Sequence, residues 1–274
     1  MKFAICNETF AELNWPDERV FDYVAQCGYE GIEIAPFTIG DDVRTITSDK
    51  TVQLRRLAED SGISIAGLHW ILSNREELLL TSSENETRKS TAAYLKSLAR
   101  WCRELGGDVM VFGSPKQRNR PREMSMQQGF QNAVATLQDV IPVLEETQVI
   151  LAMEPLATWE TNFLLTAEDA LKLTRVLDSE YVRIMLDCKA MWAMETLSIS
   201  EVIQRYRNDF VHFHANDPNL LGPGFGELEF EPIFAALDEI NYDRWVSVEV
   251  FDYTPGPERI AKESIDYMRR CLPA

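Results

Sequence analysis

The chain has 274 residues, the size of one barrel domain and too few for two comfortable domains with its periodicity. Hydrophobic residues make up 45% of it, enough for a large core and too many for an intrinsically disordered chain. The net charge of −17, from 27 basic and 44 acidic residues, argues against nucleic-acid binding, which calls for a basic stripe, and against an anionic membrane surface.

No apolar run approaches the roughly 20 residues that span a bilayer. Met1 to Cys6 leads straight into Asn7 and Glu8, without the apolar stretch and small-residue cleavage site of a secretory signal, so a cytoplasmic protein is expected. Cys6, Cys27, Cys102, Cys188 and Cys271 are odd in number and scattered, with no C-x-x-C pair. They read as reduced thiols rather than a disulfide framework or zinc cage. Cys188 follows a ligand candidate, Asp187, and should point to the opposite face of its strand.

Short apolar runs alternate with longer amphipathic segments along the whole chain, the pattern of parallel strands joined by crossover helices. The first strand is expected at 2–6 and the first helix at 16–27, started near Asn14 or Asp17. The second strand follows at 31–35, then a helix over 51–60 capped by Ser48 and ended by Gly62. A third strand at 63–68, a long loop and a helix over 86–105 lead to Gly106-Gly107 and the fourth strand, 108–112. A basic, Pro-rich loop at 113–123 and one helix over 125–146 come next. The remaining strands end at Glu154, Asp187, His214 and Glu249, with helices near 166–177, 200–206, 231–240 and 257–271. Eight strands and eight helices predict an α/β fold, a single (β/α)8 TIM barrel over residues 1–274. An open doubly wound sheet would show a Gly-rich turn after an early strand, whereas no glycine precedes Gly28.

Glu154, Asp187, His214 and Glu249 lie 33, 27 and 35 residues apart, each closing an apolar run. A polar group at the carboxyl end of consecutive strands is how such a barrel builds a site at its top face. Three carboxylates and one imidazole suit Mn²⁺ best among the candidates, with Mg²⁺ or Co²⁺ as alternatives, and suit a structural zinc poorly. Four side-chain ligands leave two octahedral positions for a hydroxy-carbonyl group. The competing interpretation is four unrelated ion pairs or loop carboxylates. Glu154 and Glu249, on strands five and eight, should flank such a substrate and act as general base and acid. Two opposed carboxylates suit epimerisation, and one base returning its proton to the adjacent carbon gives aldose–ketose isomerisation.

The stretch Glu154-Pro155-Leu156 followed by Glu160-Thr161-Asn162-Phe163-Leu164 resembles the ketose 3-epimerases of the xylose-isomerase-like barrel superfamily. His212-Phe213-His214, Gly222-Pro223-Gly224-Phe225-Gly226, Ala235-Ala236-Leu237 and Val248-Glu249 resemble the same proteins, so the likeness covers about residues 150–255. It implies a metal held by Glu154, Asp187, His214 and Glu249, with Glu154 and Glu249 as the proton-transfer pair. It also implies that Glu160 contacts substrate and that Phe251 is an apolar wall. A homo-oligomer, dimer or tetramer, is compatible with it. Two departures matter. The family's substrate-reading His, three residues after the Asp ligand, is Ala190 here, and its Arg, six after the His ligand, is Leu220. Lys189 is offered there instead and could bind a carboxylate or phosphate of the substrate or act as an acid, or be a solvated loop lysine.

His69 and Trp70 after the third strand are further substrate-side candidates, with a buried structural His as the alternative for His69. Glu33 could hold His69 or substrate, or pair with a neighbouring cation. His212 shares a face with His214 one layer deeper and should steady a ligand, and it is kept among the substrate-side candidates. Trp159, Trp192 and Phe225 could be aromatic walls or ordinary packing. The expected activity is metal-dependent isomerisation or epimerisation of a sugar, keto-sugar or polyol-derived substrate. A dehydratase of the keto-inositol type uses the same proton abstraction. An AP-endonuclease-like nuclease would need several more His than the three present, and a non-catalytic sugar-binding barrel would not need Glu154 and Glu249.

Overall fold

A computed structural model describes residues 1–273 and shows eight parallel strands closed into a barrel in chain order, the eighth pairing back onto the first. The strands are β1 (Lys2–Cys6), β2 (Gly31–Ile34), β3 (Ser64–Leu68), β4 (Val109–Phe112), β5 (Ile150–Met153), β6 (Val182–Asp187), β7 (Phe210–Ala215) and β8 (Trp245–Val248). Around them run α1 (Asp17–Cys27), α2 (Ser48–Ser61), α3 (Asn85–Leu105), α4 (Pro115–Arg118), α5 (Met126–Gln138) and α6 (Ile141–Thr147). The second half adds α7 (Ala167–Leu177), α8 (Cys188–Met194), α9 (Ile199–Arg205), α10 (Glu231–Glu239) and α11 (Pro257–Arg270). Among the described residues no helix is long and apolar enough to cross a membrane.

Strands such as Val-Met-Val-Phe in β4 and Ile-Leu-Ala-Met in β5 are apolar on both faces because helices cover one side and the barrel interior the other. Inward side chains follow the period of two. In β8 they climb from Trp245 through Ser247 to Glu249, from apolar plug to polar layer to candidate ligand. Trp245 fills the bottom so completely that a Cβ on Gly31 would lie 2.7 Å from its ring, so no larger residue fits there. In the same direction β5 runs Ala152 to Glu154, β6 Met185 to Asp187 and β7 His212 to His214. Depth in the barrel therefore sorts chemistry: packing below, carboxylates and imidazole at the rim.

Several expectations about local structure are corrected. The single helix expected over 125–146 is two, α5 and α6, because Pro142 lacks the N–H that an unbroken helix would need. Thr47, not Ser48, caps α2 by accepting a hydrogen bond from the Lys50 N–H, and α1 starts at Pro16 with no side-chain cap. A 3-10 helix over Asn7–Leu13, unforeseen in the sequence, turns Glu8 inward. The stretch after Asp187, expected to be loop, is helix α8.

Candidate active site and metal centre

Asp187 shows how local structure makes the site. It is the N-cap of α8, its Oδ1 accepting the Ala190 N–H at 2.7 Å, while Oδ2 accepts from the Asn216 side chain at 2.6 Å. Asn216 also accepts the Lys189 N–H, so one amide ties the end of β7 to the start of α8. Each Asp187 oxygen is thus aimed, yet keeps a free lone pair.

The four expected ligands meet. One ligand atom from each of Glu154, Asp187, His214 and Glu249 lies within 4.8 Å of all the others, and all four residues are buried. His214 Nδ1 sits 3.1 Å from Glu249 Oε2 and 3.4 Å from Glu154 Oε1. Oxygens and nitrogens about 2.1 Å from one octahedral ion are about 3 Å apart in cis and about 4.2 Å in trans. The two His214–carboxylate separations are close to a cis edge, and the donor chemistry of the cluster suits a hard divalent cation.

The electrostatics fit a group built to give up protons. Burial, then the neighbouring Glu249 and Asp187 charges, pushes the Glu154 carboxyl up to about 7, against the pull of His214. Burial also raises Asp187, opposed by Lys189. Burial would raise Glu249 too, but His214, His69 and Lys189 together hold it below the usual carboxylate value. Burial disfavours the His214 imidazolium, yet Glu249 and Glu33 raise it well above an ordinary histidine.

A second layer supports the first. Glu33 lies 3.0 Å from His212 Nε2 and 3.4 Å from His214 Nε2. It therefore fixes the His214 ring with Nδ1 toward the carboxylates. His212 is fully buried below this layer and meets Glu33 rather than the cavity; Glu33 meets the two histidines rather than His69. His69 is also fully buried and pairs with Glu8, Nε2 to Oε2 2.5 Å.

Above the cluster opens a cavity of about 310 Å³ whose lining includes Glu154, Glu160, Glu249, Trp70, Phe251 and Gln117. Trp70 does more than form a wall. Its Nε1–H donates to Glu249 Oε1 at 2.8 Å, and its ring stacks between Phe37 and Phe251 with centroids 5.8 and 6.1 Å away. Its φ of 48° is left-handed, a strain of about 1–3 kcal/mol that this packing holds in place. Lys189 is no solvated loop lysine: it is 2% exposed in α8, with Nζ 2.6 Å from Glu160 Oε1 and 4.0 Å from the Phe251 ring. Leu220, in the place of an expected Arg, is 39% exposed. Trp159 and Trp192 are 63% and 62% exposed, and neither lines this cavity; Trp192 and Phe225 line a separate groove.

The sequence profile described as a xylose isomerase-like TIM barrel matches residues 21–271. The chain belongs to that family. Within xylose isomerase-like barrels it is similar to the D-psicose 3-epimerase of Enterocloster bolteae, 26% identical over 92% of this chain and 82% of that protein. It is also similar to the 3-dehydro-D-guloside 4-epimerase of Escherichia coli, 23% identical over 99% of this chain and 100% of that one. In fold it matches the D-psicose 3-epimerase of Clostridium cellulolyticum H10, solved with D-tagatose, at a TM-score of 0.86 with 21% identity and full coverage of both chains.

Sequence reasoning missed Glu8, Asn216 and Arg118. Asn216 was findable, since it follows His214 by two residues at the top of β7. Arg118 carries no such signal. The sequence places it in a basic loop, whereas it ends the short helix α4 and is fully buried.

Proposed function

We propose that the protein is a divalent-metal-dependent epimerase or isomerase of a keto-sugar or related polyol-derived substrate. The observation that carries this reading is the convergence of Glu154, Asp187, His214 and Glu249 beside a sugar-sized cavity that Glu154 and Glu249 line. The epimerase names of similar full-length proteins support it. Glu154, Asp187, His214 and Glu249 would hold the ion, with Mn²⁺, Mg²⁺ or Co²⁺ suited to that oxygen-rich set. Such an ion polarises a carbonyl and the hydroxyl beside it, which acidifies the intervening C–H.

The chain's own groups do the rest. Glu249, kept ionised, removes the proton from the carbon next to the carbonyl, and the substrate passes through an enediolate. Glu154 would return one from the other side. Opposed carboxylates invert a stereocentre. Glu160, Lys189, Trp70 and Phe251 orient the remaining hydroxyls and C–H faces, and His69, anchored by Glu8, backs Trp70. A sugar reaches this cavity without meeting a buried free cation, since Lys189 is already paired with Glu160.

Lys189 favours one second reading. Burial opposes its charge, but Asp187 and Glu160 keep it protonated, so a proton donor stands just behind the wall residues Glu160 and Phe251. A donor there could protonate a departing β-hydroxyl and turn the same abstraction into dehydration. Incubation with Mn²⁺ and a panel of free and phosphorylated ketoses in D₂O separates the two. Deuterium entering next to the carbonyl with the mass balance retained is the expected result. Loss of water supports dehydration, and no exchange with any keto-sugar by Mn²⁺-loaded protein would sink both.

The floor itself gives a structural prediction. A Cβ on Gly113 would stand 2.2 Å from Glu154 Oε2, so Gly113→Ala must turn that carboxylate away. Mn²⁺ affinity should drop by about tenfold or more, the scale of a disturbed ligand orientation. Titration calorimetry showing parent-like affinity would mean that Glu154 does not hold the ion.

A further inference from the structure

Arg118 is the most anomalous charge in the molecule. It is fully buried at the end of α4, and no carboxylate pairs with it. Burying a guanidinium without a carboxylate partner is unfavourable, whereas a methionine of similar volume would pack without that penalty. All its hydrogen bonds go to backbone oxygens. Nη1 donates to the carbonyls of Phe112 at 3.1 Å, of Gly113 at 3.2 Å and of Glu154 itself. Nη2 donates to the carbonyl of Leu164 at 3.3 Å. Those four carbonyls belong to the end of β4, the end of β5 and the loop after β5; backbone bonds from the Glu154 N–H to Phe112 and from the Leu156 N–H to Leu164 join these segments pairwise, and the guanidinium bridges all three at once.

We propose that Arg118 is the positioning residue of Glu154, a fork that locks the backbone from which this carboxylate projects. The planar guanidinium can hold several acceptors in one rigid geometry, which a lysine cannot. Glu154 has little slack: its Oε2 packs against the Gly113 backbone, and its Oε1 is 3.4 Å from His214 Nδ1. Leu164 has a left-handed φ of 59°, and its carbonyl accepts from both the Leu156 N–H and Arg118, so the loop end of the clamp is strained and doubly held. Gly113 and Glu154 face each other across the same guanidinium, so freeing either carbonyl moves the carboxylate relative to its partners. The role extends the reading of Glu154 as a cation ligand and rests on it.

The test compares the full-length parent with Arg118→Met and Arg118→Lys, reading Mn²⁺ affinity by calorimetry and melting temperature in the metal-free state. Arg118→Met is expected to weaken Mn²⁺ binding about 10- to 100-fold, the range found when groups that orient ligands are removed. Arg118→Lys keeps the charge but not the fork, and should recover only part of that loss. A purely structural arginine would lower the melting temperature of Arg118→Met and leave the affinity of the folded fraction within about twofold of the parent; that result overturns the proposal. If Arg118→Met does not fold, Arg118→Lys decides: a several-fold loss supports the role, and unchanged affinity removes it. A parent protein that takes up no Mn²⁺ overturns the cation reading and this role together, whereas a binding parent with an indifferent Arg118 overturns this role alone.

Discussion

Glu154→Gln and Glu249→Gln should each lower turnover at least about 10³-fold while leaving the barrel folded. Positioned acid–base catalysis alone contributes about 10²–10⁴-fold. The amide keeps the shape of the carboxylate but removes its negative charge and its basicity, and it turns an N–H toward whatever the cluster holds. Both side chains sit on the rim, above the packed layers of the barrel, so the melting temperature should change far less than the rate. The two variants are not equivalent. Glu249 accepts from Trp70 and lies against His214, so losing its charge also loosens the Phe37–Trp70–Phe251 stack. Glu154 lies among the other three cluster residues and the Gly113 backbone, with no bond to the aromatic stack, and its glutamine variant should keep the cavity wall intact. Deuterium uptake by substrate is the direct readout. Either variant exchanging within about tenfold of the parent would remove that carboxylate from the chemistry.

The contrast between those two glutamates also marks how far sequence reaches. Four candidate ligands were legible because a barrel strand gives each a simple address: the inward position at the carboxyl end of an apolar run. That address depends only on period-two alternation and on Val, Ile, Leu and Met around it, as in Ile150–Met153 before Glu154. What supports the ligands has no such address. Glu8 reaches His69 because a 3-10 helix follows β1 where a loop was expected, and nothing in Asn7-Glu8-Thr9 distinguishes the two. Lys189 reads equally as a substrate-side group or a solvated loop lysine, and only the cap at Asp187, which starts a helix there, buries it against Glu160 and Phe251. Arg118, in a run of basic and polar residues, reads as solvent-facing, and only the tertiary approach of three backbone segments makes a buried cation tolerable there. The Pro142 break is different in kind: the missing N–H was visible and should have ended the helix.

Cation binding should tighten steeply as pH rises from about 6 to 8, because in the metal-free protein the cluster holds protons that an ion must displace. The sign follows from the shifts. Glu154 is pushed up to about 7 by burial, so below that pH it is mostly protonated and competes with the ion. Burial raises Asp187 as well, while His214, despite burial, is held as imidazolium by Glu249 and Glu33 and must lose a proton before a ring nitrogen can bind. Glu249 is already ionised and adds nothing to the slope. Each displaced proton makes the apparent affinity change about tenfold per pH unit below its pKa. A gain of at least about tenfold in Mn²⁺ affinity across this window is therefore expected, with protons released that calorimetry in buffers of different ionisation enthalpy will count. The same linkage reaches stability. Ion at about 100 times its Kd stabilises the fold by about 2.7 kcal/mol. A chelator should then lower the melting temperature by several degrees at pH 8 and by less at pH 6, where the ion is bound more weakly. An affinity flat from pH 6 to 8, with no proton released, would mean that these four side chains do not share an ion.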